Sequence, residues 1–426
     1  MNTKRQTHRP AAPSAGDYLI ASKQCELMHL QHFLQMGKLI QSIGNLVHGL
    51  QQERGASNVF LGSGGAKFGS ERTAMIRESD SRHLAFNAAL VEVHESLTEQ
   101  PVSPQLLNHI ASAVHGLETL PRLRRQVECQ NLNAVEATET YSRLIQGLIT
   151  VVFEAADTAV DPTIAGLLVA MVHLMNGKEF CGQERAAGSA GFSSGGFDAA
   201  LSQRIMHLVA AQERCFEVFV SLADADSRAL WYELRSHPRE AELDRLRRLG
   251  WSVGPRRILD PELADRWFGL MTERMDVLKK VEDAVESCFH GRCVDRFGEA
   301  RNSLAHQETL LATLDEDGES SQPMLVLCSS GESWQSDGVG QQFGRSILEL
   351  VQEQTRRLQQ MTDELQVVKE TLEDRRTQEK AVLLLMAHRK IDNDEAHRVL
   401  RKLAMDQGRR LPEVARALVS MADVLN

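Results

Sequence analysis

The sequence predicts an all-α protein: two repeated helical bundles, a linker, a long coiled-coil helix and a small C-terminal module of three short helices. Three observations carry that expectation. Leu, Ala, Glu, Arg and Gln are abundant while aromatic residues make up 5% of the 426-residue chain, and long unbranched side chains lose little rotamer freedom in a helix. Apolar residues recur with a period near 3.6, in stripes such as Leu39, Ile43, Leu46, Val47 and Leu50, or Leu167, Leu168, Met171, Val172 and Met175. Alternating β-branched runs that would mark strands are few.

Each element follows in order. Residues 1–17 contain Pro10, Pro13 and Gly16 and read as a loose tail. From Tyr18 to about Thr313 the helical pattern holds, and a chain of this length exceeds one core, so the helices divide into two bundles. The division rests on a repeat. Gln52-Glu53-Arg54-Gly55-Ala56 followed by Ser63-Gly64-Gly65 returns 131 residues later as Gln183-Glu184-Arg185-Ala186-Ala187 followed by Ser194-Gly195-Gly196. One structural unit used twice puts the seam between Asn131 and Thr163 within a segment spanning 18–314.

Asp315 to Pro323 is a composition break and Ser329 to Gly344 is again polar and glycine-rich, which makes 315–344 a linker. Ile347, Val351, Gln354, Leu358, Met361, Leu365, Val368 and Leu372 then alternate at spacings of four and three, a heptad seam over 345–375. The module 376–426 has a first helix through Ala381, Leu384 and Leu385. A second, capped near Asp392 or Asn393, carries Ala396, Val399, Leu400, Leu403 and Ala404 inward and stops at Gly408. The third has Pro412 in its first turn and an apolar face of Val414, Ala415, Leu418 and Val419.

Charge is uneven. The chain carries −10, yet residues 375–426 hold eleven Lys/Arg against seven Asp/Glu, a basic end suited to a polyanion on an acidic body. Seven irregularly spaced cysteines read as free buried thiols in a reducing compartment. The basic N-terminus lacks an apolar core and the stretch Thr163 to Met175 is short and contains His173, so neither a signal peptide nor a membrane span is expected. Gly191-Phe192-Ser193-Ser194-Gly195 fits the G-x-S-x-G elbow of hydrolases but follows no strand. Cys288, His290 and Cys293 lack the second ligand pair of a zinc site, and no P-loop is present.

Two constellations remain. Arg54 and Arg185, as pseudo-symmetric partners, offer two planar forks able to bracket a small trigonal oxyanion. A duplicated structural corner, in which Glu53 and Glu184 neutralise neighbouring arginines, fits the same residues. Arg398, Arg401 and Lys402 share a helical stripe with Arg409-Arg410 at its end, a pattern that suits RNA phosphates or a helix dipole.

At these motifs the chain resembles two families. Residues from about Gln24 to Thr313 resemble the NIT (nitrate- and nitrite-sensing) domain through Val47-His48-Gly49-Leu50-Gln51-Gln52-Glu53-Arg54-Gly55-Ala56-Ser57-Asn58, Gly177-Lys178-Glu179, Gly182-Gln183-Glu184-Arg185-Ala186 and Leu246-Arg247-Arg248. Residues from about Gln378 to Met421 resemble the ANTAR RNA-binding module through Glu379-Lys380-Ala381, Asp394-Glu395-Ala396, Leu400-Arg401-Lys402-Leu403-Ala404 and Val414-Ala415-Arg416, although Val382 stands where that pattern usually has lysine. The resemblance implies a cytoplasmic, non-enzymatic transcription antiterminator. Nitrate or nitrite would bind between two four-helix bundles, and the module would then bind paired hairpins in leader mRNA and prevent a terminator from forming. By motif, Arg54 and Arg185 take the anion, Arg247 or Arg248 adds a third contact, and Gly55 and Ser57 shape the pocket. Lys380, Arg398, Arg401, Lys402 and Arg409 take the RNA. No metal, cofactor or catalytic residue is implied. A constitutive helical scaffold with structural arginine corners is the competing expectation.

The heptad seam generates the first test: the full chain should run as a homodimer in light scattering at high protein concentration, and a monomer there would remove the coiled-coil assignment.

Overall fold

The structure, a computed structural model, describes residues 13–99, 103–252, 260, 262–316, 340–391 and 393–425. Most of the expected linker, 317–339, lies outside the described residues, as do the Leu372 side chain and all the expected seam side chains before Met361. Among the described residues no strand occurs. In chain order the helices are α1 (Ala15–Gly62), α2 (Gly69–Glu99), α3 (Pro104–Glu118), α4 (Leu120–Glu128), α5 (Ala134–Thr158), α6 (Pro162–Ser193), α7 (Ala199–Leu222), α8 (Ala225–Ser236), α9 (Pro238–Ser252), α10 (Glu262–Glu316), α11 (Gly340–Arg389), α12 (Asn393–Gln407) and α13 (Leu411–Leu425).

Local chemistry sets these boundaries. Asn133 caps α5 in a capping box with Glu136, and Asp161 caps α6 by accepting from the amides of Thr163 and Ile164, with Pro162 in the first turn. The repeated glycine run is a repeated helix stop. Gly65 N donates to Phe60 O at 2.8 Å and Gly64 N to Leu61 O at 3.1 Å, while Gly196 N donates to Gly191 O at 3.0 Å and Gly195 N to Phe192 O at 3.2 Å. These are two Schellman motifs at the same offset, with Gly64 (φ +61°) and Gly195 (φ +77°) in the left-handed conformation that closes them.

The chain divides into two compact units. One comprises Met1–Leu34 and Gly291–Asp363; there α1 buries Leu19, Leu30 and Phe33, and α10 buries Cys293 and Ala300. The other comprises Gln35–His290 and Glu364–Asn426. Its centre is α6, buried on every side and packed on α5 and α7. α6 alone, among the described residues, is long and apolar enough to cross a membrane, but its apolar stretch is 94% buried inside the protein. Trp267 of α10 packs against Phe192 with ring centroids 5.5 Å apart and donates its indole N–H to Arg185 O at 3.1 Å.

At the C-terminus, Ala381, Val382 and Leu385 of α11 form a small core with Ala396, Leu400 and Ala404 of α12 and Val414 and Ala415 of α13. The first expected short helix is thus the end of the 50-residue α11. The described cysteines form no disulfide, and Cys25 and Cys129 are exposed rather than buried.

His173 of α6 supplies a test. Both its ring nitrogens lack a hydrogen-bond partner among the described residues, and burial, reinforced by the Arg375 charge, pushes its pKa down to about 3. An unfolded imidazole titrates near 6.5, so the unfolded chain binds a proton that the native state refuses and stability falls as pH drops below that value. Relative to wild type, His173→Leu should be spared up to about 1.4 kcal/mol of loss per pH unit below 6.5, read from urea unfolding at pH 7, 6 and 5.

Candidate functional site

The arginines of the two repeats meet in the interior. Arg54 on α1 and Arg185 on α6 are 1% and 3% exposed. Arg54 Nη1 donates to Ser142 Oγ of α5 at 2.7 Å and pairs with the Glu179 carboxylate of α6. Arg185 reaches back toward α1: its Nη2 donates to Gln51 O at 3.0 Å, its Nη1 to Thr272 Oγ1 of α10 at 2.9 Å, and its guanidinium lies 4.9 Å from the Phe268 ring centroid. Each fork lies on a glycine of the other helix. A Cβ at Gly182 would sit 2.3 Å from Arg54 Nη2, and one at Gly55 would sit 2.3 Å from Arg185 Nη2, so any side chain there displaces a guanidinium.

Charge in this site is unbalanced. Glu179 accepts from Gln51 Nε2, Gln183 Nε2 and Ser142 Oγ, each at 3.0 Å, as well as from Arg54. Arg185 has no ion-paired carboxylate among the described residues, and burial together with the Arg54 charge pushes its pKa down to about 10, still a cation at neutral pH. Arg54 Nη2 is buried with no hydrogen-bond partner among the described residues. The two guanidiniums thus have one ion-paired carboxylate, Glu179 on Arg54, with Asp276 acting on Arg185 only as a nearby charge, and one buried N–H of Arg54 is unused.

The neighbouring glutamates are engaged elsewhere. Arg124 holds Glu53 by two bonds of 2.8 Å, and Tyr141 OH adds a third at 2.7 Å. Arg247 holds Glu184 through bonds of 2.7 and 2.8 Å, and Gln212 Nε2 adds one of 2.7 Å. Burial opposes both of these arginine charges, but the carboxylates hold their pKa values above the usual range. The expected structural corner therefore exists, built by Arg124 and Arg247 rather than by the repeated arginines.

Of the other expected contacts, Arg247 is committed to Glu184 and Asp244, and Arg248 is exposed with Nε donating to Asp244 O at 3.2 Å. Gly55 lies at the site, whereas Ser57 is buried beside the Tyr141 hydroxyl. Reasoning from sequence missed Glu179, Ser142, Phe268 and Thr272. Glu179 lies in the quoted Gly177-Lys178-Glu179, but nothing in its spacing links it to Arg54.

The C-terminal cations divide. Lys380, Lys402 and Arg409 are exposed. Arg401 Nε donates to His397 O at 3.2 Å, and Arg398 pairs with Glu395 and donates to Gln203 Oε1 of α7 at 3.3 Å. An unforeseen contact ties α11 to α5: Arg376 Nη2 lies 3.1 Å from Glu154 and 3.2 Å from Asp157, and Arg375 and Arg376 stand 5.7 and 5.6 Å from the Phe153 ring centroid. Among the described residues no group of His, Cys, Asp and Glu is suited to hold a metal ion.

Residues 45–289 match the family described as nitrate and nitrite sensing (NIT), and residues 366–419 match the ANTAR domain. A nitrate regulatory protein of Klebsiella oxytoca is 34% identical over 409 residues, with 96% of each chain covered. The solved structure of the NasR transcription antiterminator superposes with a TM-score of 0.59 at 32% identity, covering 97% of this chain and 100% of that one.

The corner geometry predicts a stability phenotype. Arg124→Met would leave the fully buried Glu53 carboxylate with only the Tyr141 hydroxyl, at an expected cost of about 3–5 kcal/mol, whereas Tyr141→Phe should cost about 1 kcal/mol; urea midpoints of the two variants would separate them.

Proposed function

The chain belongs to the nitrate- and nitrite-sensing (NIT) family and carries a C-terminal ANTAR domain, and on that premise we propose that nitrate or nitrite binds between Arg54 and Arg185 to control where the ANTAR domain is held. The protein is a nitrate-responsive transcription antiterminator: one domain senses the anion and the other acts on RNA. The observation that carries the binding site is the buried pair of guanidiniums, of which only Arg54 is ion-paired, with Arg54 Nη2 unused. A trigonal oxyanion matches the planar forks, and charge-assisted bonds of about 1.5–3 kcal/mol each allow four of them to reach the roughly 8 kcal/mol of a micromolar site. Arg247 serves this site indirectly, by neutralising Glu184.

The contacts between α11–α12 and the sensor support sequestration in the anion-free state. Arg376 on Glu154 and Asp157, with Arg398 on Gln203, ties the module to α5 and α7, while Lys380, Lys402 and Arg409 stay exposed. α5 is the shared element, because Ser142 bonds Arg54 and Glu154, twelve residues on, bonds Arg376. The rise of a helix separates those positions by about 18 Å. Anion binding that pulls Arg54 off Ser142 shifts α5 and loosens Arg376. Released, Lys380, Arg398, Arg401, Lys402 and Arg409 contact the phosphates of paired hairpins in leader mRNA, two modules of a cytoplasmic homodimer meeting two hairpins, and the terminator does not form.

Isothermal titration of nitrate into the full chain, with chloride and sulfate as controls, tests the site. Wild type should bind nitrate saturably and Arg185→Ala should not, while the variant stays as stable as wild type or gains stability, because it removes a buried cation that has no paired carboxylate. Retained nitrate binding in the variant would remove the pocket, and no binding to folded wild type would favour the constitutive scaffold.

A further inference from the structure

One carboxylate stands near the two repeated arginines without forming an ion pair with either among the described residues. Asp276 lies on α10 one turn past Thr272, which accepts from Arg185 Nη1 at 2.9 Å, so the two residues share a face of that helix. From α1, the Gln52 side chain hydrogen-bonds Asp276, and its neighbour Gln51 gives its carbonyl to Arg185 Nη2 at 3.0 Å. Asp276 is therefore flanked by both of the residues that hold Arg185, and its charge acts on that guanidinium.

The other groups around Asp276 do not cancel its charge. His48 Nε2 lies 3.7 Å from the carboxylate, but burial, reinforced by the Lys178 charge, pushes the His48 pKa down to about 2, so at neutral pH the imidazole is uncharged. Lys178 and Lys280 also act on Asp276, yet Lys178 is committed to Glu282 and Lys280 is exposed on α10. The Asp276 side chain is 48% exposed, so solvent screens it and it offsets Arg185 only in part.

This placement limits the charge of a ligand. Arg54 and Arg185 set against Glu179 leave one positive charge, which a monovalent oxyanion matches. A second negative charge meets no further cation and faces Asp276 as well. Coulomb energy is linear in ligand charge, so Asp276 repels a dianion twice as strongly as a monoanion at the same position. A like charge set against the wrong ligand is a route to specificity.

We propose that Asp276 is a specificity-determining residue of the Arg54–Arg185 site, admitting monovalent oxyanions and excluding divalent ones such as sulfate. This role rests on the nitrate-binding reading of those two arginines.

The test is isothermal titration of nitrate into the full chain, with sulfate measured by its competition against nitrate, for wild type, Asp276→Asn, Asp276→Glu and Arg185→Ala. Asp276→Asn should tighten nitrate about threefold and sulfate about ninefold, the square of that factor, because the free energies differ twofold. Asp276→Glu keeps the charge and should leave the preference for nitrate over sulfate as in wild type. An Asp276 that served only to tie α10 to Gln52 would give the opposite sign, weaker nitrate binding in Asp276→Asn. Nitrate binding unchanged or weakened in Asp276→Asn, equal gains for the two anions, no sulfate competition in that variant, or the same gains in Asp276→Glu would each overturn the role. The two readings fail separately. Nitrate binding that is lost in Arg185→Ala but untouched by Asp276→Asn keeps the arginine site and removes only the role of Asp276, whereas no nitrate binding to folded wild type, or binding retained in Arg185→Ala, removes both.

Discussion

Two arginines placed in a dry interior with one carboxylate between them are the constraint around which this sensor is arranged. An ionised group taken out of water costs several kcal/mol unless it is paired and hydrogen-bonded, and arginine cannot escape by deprotonating near neutrality. Arg185 at about 10 remains a cation. The surroundings answer with a carbonyl, a hydroxyl and an aromatic face for Arg185, and with Glu179 and Ser142 for Arg54. Glu179 offsets one of the two charges, and Asp276 acts on Arg185 without forming an ion pair among the described residues. On the proposed reading, a small anion between the two guanidiniums is the species that offsets this charge.

The duplication maintains that excess by keeping other charges away. In each repeat a glutamate precedes the arginine, and such a neighbour could quench the site. Instead Glu53 is occupied by Arg124, which also holds the half-exposed Asp80, and Glu184 by Arg247, which also holds the half-exposed Asp244. The two corners repeat the same logic with partners that are not at the same offset: Tyr141 supplies the third bond to Glu53, and Gln212 the third to Glu184. Equal Schellman endings then fix where α1 and α6 stop, with the left-handed glycine ten residues past each arginine. The halves differ where function needs it, for Arg54 has a carboxylate and Arg185 has a ring.

Much of this was legible in the residues. Period and caps placed the helical body, and the repeat singled out Arg54 and Arg185 because a helix-ending glycine run marks equivalent positions whatever the intervening loops do. The partners were not legible. Helical periodicity says which face of α6 turns inward, but not that Glu179 meets Arg54 rather than a nearer cation, since that depends on how α1 crosses α6. For the same reason Arg247 and Arg248 look alike in sequence, yet one is buried on Glu184 and the other exposed, a difference of one position on a helix face. Arg376 reads as one more cation in a basic run; only the packing of α11 on α5 gives it Glu154 and Asp157. Val382, a departure from the ANTAR pattern, is explained by burial in the small C-terminal core.

The strength of the contacts holding α11 sets what a ligand must do. The Arg376 side chain is 31% exposed, so solvent screens its bridges to Glu154 and Asp157 to about 1 kcal/mol or less each. A cation–π contact with Phe153 adds about 0.5–1 kcal/mol. A latch of roughly 2–3 kcal/mol corresponds to a closed-to-open ratio of about 30 to 140, since each 1.4 kcal/mol is a factor of ten. A full reversal from 1:99 to 99:1 requires about 5.5 kcal/mol of difference in ligand affinity between the two states. Two to four charge-assisted bonds present only in the open state supply that difference, at about 1.5–3 kcal/mol each, and in the proposed site the unused Nη2 of Arg54 makes one of them. The anion therefore need not drive a large rearrangement. In the proposed switch it has only to prefer the arrangement in which α11 is released, and the weakness of the α5–α11 contact does the rest.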